Sequence, residues 1–181
     1  MSINPDLIST TWWFAAEAHG DQKVPGSDLP YLTHIGNVMQ EVMAACENSY
    51  VEQPDLALQC AILHDTIEDT EASFEEVERH FGSSVAKGVS ALSKNESLPG
   101  KRAQMEDSLA RIVVEGPEVA CVKVADRISN LYQPPYYWTA NKKRAYAEEA
   151  QLIRDSLAGA DPLLLARLDQ KIADYARFYA A

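Results

Sequence analysis

Residues 61–73 read "AILHDTIEDTEAS". His64 and Asp65 stand side by side, then Glu68 and Asp69, in a run whose other early members, Ala61, Ile62, Leu63 and Ile67, are apolar. If 55–69 is one helix, His64 and Glu68 lie four residues apart, as do Asp65 and Asp69. Each pair then shares one side of the helix, a turn apart. A solvated face is the alternative, but the apolar neighbours point the segment inward. Asp65, Glu68 and Asp69 packed together without a cation would repel one another and raise at least one carboxyl pKa. A divalent metal removes that problem, so the stretch reads as the floor of a site.

Outward from it, helix punctuation recurs and hairpin signals are absent. Asn4-Pro5 opens a helix that runs to a stop at Gly20. Residues 21–33, "DQKVPGSDLPYLT", carry two prolines and a glycine and form a loop. A second helix starts near Thr33 or His34, and Pro54-Asp55 opens a third. Ser73 and Glu76 have capping-box spacing ahead of a short helix ending near Phe81-Gly82. Val85, Val89 and Leu92 keep helical spacing, residues 94–100 read as a loop, and helices are expected over 101–115, 117–132, 140–158 and 162–179. The last, opened by Asp161-Pro162, reads as a packing helix, with homo-oligomerisation through it left open. The expectation is an all-α fold in a single domain over 1–181, since 181 residues with 46% apolar content suit one core.

The formal net charge is -11 and the pI near 4.7. That balance argues against a nucleic-acid partner, which needs clustered Lys and Arg. A bound metal can still reverse the local sign for a small phosphorylated ligand. The three cysteines, Cys46, Cys60 and Cys121, are widely spaced and form no CxxC, which fits reduced thiols in a cytoplasmic protein. The start of the chain does not read as a secretory signal, and no apolar run reaches membrane-spanning length. No Walker A loop or GxGxxG is present.

A metal needs more ligands than His64 and Asp65. His34 ends the loop segment "PYLTHIG", and Asp126 sits in "VKVADRISNL", where a carboxylate would be costly to bury unpaired. His19, before Gly20, and His80, before Phe81-Gly82, read instead as satisfied polar residues near helix C-termini.

His34, then His64-Asp65, then Asp126 resemble the H…HD…D signature of the HD-domain metal-dependent phosphohydrolases. More narrowly, "ILHDTIEDT" and "VKVADRISNL" are similar to the marks of the alarmone hydrolases of the RelA/SpoT superfamily, the small stand-alone Mesh type being nearest in length. The likeness covers roughly residues 12–155 and includes "HFGSSVAKGVSALSK". It implies an HD-fold helical bundle in which His34, His64, Asp65 and Asp126 ligate one metal, usually Mn2+. Two imidazoles and two carboxylates are a mixed N/O set suited to such an ion. The resemblance further implies that Glu68 and Asp69 handle the attacking water and that Asn130 reaches the substrate. The implied reaction is hydrolysis of the 3′-pyrophosphate of guanosine 3′,5′-bis(diphosphate) and related alarmones, giving pyrophosphate and GDP or GTP. The implied partner is thus a small nucleotide.

One stretch departs from the family. Where an Arg-Lys pair is common, "HGDQKVPGSDLPYLTHI" keeps only Lys23, with Val24-Pro25 in place of the basic residues and Ile35 after the histidine. Lys94, Lys142 and Tyr146 are further substrate-contact candidates by position, as are Lys101 and Arg102, each weighed against an ordinary surface or core role. The departure leaves guanine or adenine open. It also keeps two other readings: a nucleotide phosphomonoesterase of HD type, and a non-catalytic nucleotide-binding module.

Overall fold

The computed structural model describes residues 3–47 and 51–180 and is helical throughout, with no strand among the described residues. In chain order the helices are α1 (Pro5–His19), α2 (Leu32–Cys46), α3 (Pro54–Leu63), α4 (Thr66–Asp69), α5 (Phe74–Phe81), α6 (Ser83–Leu92), α7 (Lys101–Glu115), α8 (Pro117–Asn130), α9 (Ala140–Ser156) and α10 (Pro162–Tyr175). The all-α expectation holds. The loop between α1 and α2 carries an isolated antiparallel bridge, Lys23 to Pro30.

Local chemistry sets the helix ends. The Asn4 side chain accepts from the Asp6 and Leu7 amides at 3.1 and 3.4 Å, and the Asp161 carboxylate accepts from the Leu163 and Leu164 amides, both at 2.9 Å. Ser73 and Glu76 form the reciprocal capping box that their spacing predicts. Helix α10 ends sooner than the expected 179, and the chain tightens into a 3-10 turn over Ala176–Phe178.

A larger correction concerns the opening stretch. Residues 55–69 are not one helix: α3 stops at Leu63, His64 and Asp65 form a turn, and α4 begins at Thr66. The His64 Nδ1 sits 2.8 Å from the Ala61 carbonyl, the group that the amide of residue 65 would meet in a continuing helix. Asp65 takes φ -102°, ψ 0°, in the bridge region common at functional sites. The apolar pattern could not reveal this, because a one-turn break hardly disturbs its periodicity.

Helix α8 forms the centre. Every residue from Glu118 to Ile128 is buried, and the helix packs against α2, α3, α6, α7, α9 and α10. Helices α2 and α3 also pack on each other, so α2, α3 and α8 meet at one junction. Gly88 lets α6 approach α3, since a Cβ there would lie 2.7 Å from the buried Cys60 Sγ. Ion pairs brace the periphery: Arg167 binds Glu41, tying α10 to α2, and Arg154 binds Asp169 across α9 and α10. No helix among the described residues is long and apolar enough to cross a membrane.

Candidate active site

The junction of α2, α3 and α8 carries the H…HD…D residues. His34 stands in the first turn of α2, His64 and Asp65 in the turn after α3, and Asp126 one turn before the end of α8. The His34 and His64 Nε2 atoms are 3.1 Å apart. Asp126 Oδ1 lies 3.4 Å from the first and 3.9 Å from the second. Asp65 Oδ2 lies 2.9 Å from His64 Nε2 and 3.7 Å from His34 Nε2. Both histidines are buried, as is Asp126.

The donor set fits a divalent ion. His64 Nδ1 faces a carbonyl, so it carries the proton and leaves Nε2 with a bare lone pair. His34 Nδ1 is 3.2 Å from the Ser129 hydroxyl, which can accept its proton and so leave Nε2 for a metal once the second proton is lost. His34, His64 and Asp126 offer three ligand atoms within 4.8 Å of one another, and Asp65 adds an oxygen close to both imidazoles. The separations among the first three, 3.1 to 3.9 Å, fall between those of neighbouring and opposite ligands of a six-coordinate ion with bonds of about 2.1 Å, about 3.0 and 4.2 Å.

The electrostatics say the same. Burial pushes the His34 imidazole down, but the hydrogen bonds and charges of Asp126 and Asp65 outweigh it and bring it up to about 9. His64 is raised against burial by the charge and hydrogen bond of Asp65, then by Asp126. Burial opposes ionisation of Asp65, yet the His64 charge and the two imidazole hydrogen bonds hold it well below the usual carboxylate range. For Asp126 the opposing forces are burial and then the Lys123 ammonium, 3.5 Å from Oδ2, and the carboxyl again ends low. The two carboxylates thus favour positive charge on the imidazoles between them.

Glu68 and Asp69 follow on α4. The Lys94 ammonium binds Glu68, and the Lys94 amide donates to the same carboxylate at 2.9 Å. The structure thus gives Lys94 to Glu68, not to an open phosphate site. Asp69 is exposed, and partial burial of its carboxyl plus the charges of Asp65 and Glu68 raises its pKa. Asn130 Nδ2 donates to Asp126 Oδ1 at 2.6 Å.

Beside the cluster opens a cavity of about 530 Å3, into which His34, Ser129, Asn130 and Tyr146 all face. This is the volume class of small-molecule sites. Tyr146 is fixed by Arg127, whose guanidinium lies 4.0 Å from the ring centroid and also binds Glu149 at 2.6 Å. The other substrate-contact candidates lie outside the lining. Lys23 is exposed in the bridged loop, and the Lys142 ammonium rests 4.4 Å over the Trp138 ring. Lys101 and Arg102 are exposed, Arg102 pairing with Glu106.

Sequence reasoning missed four residues here. The Tyr31 hydroxyl donates to Asp65 Oδ2, Ser129 holds His34, Lys123 faces Asp126, and Trp138 lines the cavity. Tyr31 and Ser129 sit within the quoted motifs, but nothing in a motif states which ligand each would orient. His19 differs from its reading as a satisfied residue: Nδ1 meets Gln22 at 2.7 Å, while the buried Nε2 has no partner among the described residues.

Helices from three parts of the chain that gather His, His-Asp and Asp around one point define the HD class, and residues 11–163 match the HD-domain family. The Xenopus tropicalis guanosine-3′,5′-bis(diphosphate) 3′-pyrophosphohydrolase MESH1 is 31% identical over 182 residues, covering 96% of this chain and 97% of that protein. A Brucella ovis GTP pyrophosphokinase, rsh, is 32% identical over 162 residues, covering 87% of this chain and 20% of the longer protein. Among solved structures, a metazoan ortholog of SpoT, described as hydrolysing ppGpp and playing a role in starvation responses, superposes with a TM-score of 0.82. It is 26% identical and covers 96% of this chain and 98% of its own. The chain belongs to the HD-domain family and, within it, to the family of MESH1.

Proposed function

We propose that this chain hydrolyses the 3′-pyrophosphate of guanosine 3′,5′-bis(diphosphate) and related alarmones, releasing pyrophosphate and GDP or GTP. Its single HD domain would hold one Mn2+ through His34, His64, Asp65 and Asp126 and act in the cytoplasm, where its free thiols stay reduced. The observation that supports the reading is the meeting of His34, His64 and Asp126, with Asp65 against both imidazoles, beside a cavity of small-molecule size. The likeness to MESH1 over nearly the whole of both chains supports the substrate.

When bound, the ion supplies Lewis acidity, making a water acidic enough to attack near neutral pH and offsetting charge at phosphorus. The chain's own residues do the rest. Hydrolysis joins the water oxygen to the phosphorus next to the ribose O3′, breaks that P–O3′ bond and returns a proton to O3′. Asp69, in no ion pair among the described residues and raised in pKa by partial burial and the charges of Asp65 and Glu68, suits the role of taking the proton from water and giving it back. Glu68, pinned by Lys94, orients the water. Asn130 holds Asp126 Oδ1 while facing the cavity, where the ribose would lie.

One observation favours a second reading, a phosphomonoesterase acting on another nucleotide: no Lys or Arg is among the described residues that line the cavity. Product analysis separates the two. Purified protein with Mn2+ should release pyrophosphate from guanosine 3′,5′-bis(diphosphate), and the Asp65→Ala form should not. Orthophosphate as the sole product would transfer the assignment to the second reading.

A further inference from the structure

We infer that His19, which does not line the cavity beside the cluster, is a positioning residue for Asp65: packed against Tyr31, it sets the hydroxyl that holds that carboxylate. The inference rests on the reading of His34, His64, Asp65 and Asp126 as a metal site.

Three residues between the end of α1 and the start of α2 form one unit. The His19 and Tyr31 rings lie 5.0 Å apart, tilted by 33°. The His19 Nδ1 meets the Gln22 side-chain oxygen at 2.7 Å. The backbone closes the same unit: the Gln22 amide donates to the His19 carbonyl and the Tyr31 amide to the Gln22 carbonyl, both at 2.9 Å. Both rings are buried. Tyr31 also meets the His34 ring at 5.3 Å, and its hydroxyl donates to Asp65 Oδ2. His19 is thus joined to Asp65 through one rigid ring.

The imidazole carries a nitrogen that its packing does not use. Its Nε2 is buried with no hydrogen-bond partner among the described residues. An unpaired buried nitrogen lowers stability, and an apolar side chain would fill the space without that penalty. What the histidine adds is a flat ring whose plane is fixed by the Nδ1 bond to Gln22.

Asp65 is the group that this unit serves. The other three residues have anchors of their own: Ser129 for His34, the Ala61 carbonyl for His64, Asn130 and Lys123 for Asp126. Asp65 stands in the turn between α3 and α4, against Tyr31 and the two imidazoles. An imidazole that gives its Nε2 lone pair to a metal keeps no Nε2 proton for Asp65. The Tyr31 hydroxyl is then the donor left to that carboxylate among the described residues. A ligating group has to be held to within about 0.5 Å by neighbours whose own rotamers are locked, and His19 locks Tyr31.

The test measures Mn2+ binding by calorimetry on the full chain and on its His19→Ala, Tyr31→Phe and double variants. Losing a residue that orients a ligand weakens metal binding by about 10–100-fold, so His19→Ala should raise the Kd about tenfold. With the hydroxyl already removed by Tyr31→Phe, His19→Ala should change the Kd by less than about twofold. An effect as large there as in the wild type, or a His19→Ala Kd within about twofold of wild type, overturns the inference. Should His19→Ala not fold, Gln22→Ala releases the imidazole and should raise the Kd about threefold, the scale of one hydrogen bond; an unchanged Kd then overturns the inference. If the wild type binds no Mn2+, the metal reading falls and carbon NMR of metal-free protein decides. The Asp65 carboxyl resonance should then shift in His19→Ala in the direction that Tyr31→Phe shifts it, and a resonance left in place by His19→Ala refutes the inference.

Discussion

Metal binding by this chain should expel a proton, and the structure sets the number. A ligating imidazole must present a bare lone pair, yet His34 is brought up to about 9 by Asp126 and Asp65 when no ion is present. At pH 7 only about one molecule in a hundred then has a neutral His34. The two Nε2 atoms are 3.1 Å apart, close enough to share one proton and too close to hold two facing each other. About one proton should therefore leave per ion bound at pH 7, and the apparent Kd should tighten about tenfold between pH 7 and pH 8. Calorimetric titration of metal-free protein with Mn2+, in buffers of different ionisation enthalpy, counts the proton directly. A count near zero with a Kd flat over that interval would refute the placement of the ion between the histidines. The same shift has a sign for stability. His34 has a folded-state pKa above its ordinary 6.5, so its contribution is complete below about 6.5 and is lost as pH rises through about 9. Metal-free protein should thus melt lower at pH 9 than at pH 7, and added metal should restore more at the higher pH.

Other consequences follow from neighbouring residues. Asp69 has a raised pKa, so the stability tied to its protonated form is present below the ordinary Asp range and lost above it. Asp69→Asn should accordingly raise the Tm of metal-free protein at pH 7 while lowering turnover, with the Tm gain shrinking as pH falls through the Asp range; a lower Tm at pH 7 contradicts this. Arg127 is buried against Tyr146 and Glu149, so Arg127→Met should cost about 2–4 kcal/mol in urea unfolding. A loss under about 1 kcal/mol would show that the clamp is not needed. Burial pushes the Cys60 thiol up to about 12 and Cys46 and Cys121 up to about 11, so native protein at pH 8 should resist a thiol reagent until urea exposes all three.

Much of the fold was legible because its signals are local. Asn4, Ser73-Glu76 and Asp161 each act on amides within three residues of themselves, and such caps work wherever the helix later packs. The residues of the H…HD…D set were legible as well, because a polar residue in an apolar run must find a partner.

What remained hidden depends on residues far apart in sequence. Lys94 looked available for substrate until the loop after α6 laid it on Glu68, 26 positions earlier. Tyr31 could orient Asp65, 34 positions on, only after α2 and α3 had packed together. The break at His64-Asp65 turns on one imidazole choosing the Ala61 carbonyl, which side-chain periodicity does not encode. By itself, then, the sequence determined most of the helices, their capped starts and the identity of the H…HD…D residues. Tertiary structure alone decided how close those residues come to one another and which side chains line the cavity beside them. The reason is physical: caps and apolar periodicity act over one or two helical turns, while ligand geometry and cavity lining are set by which helices pack together.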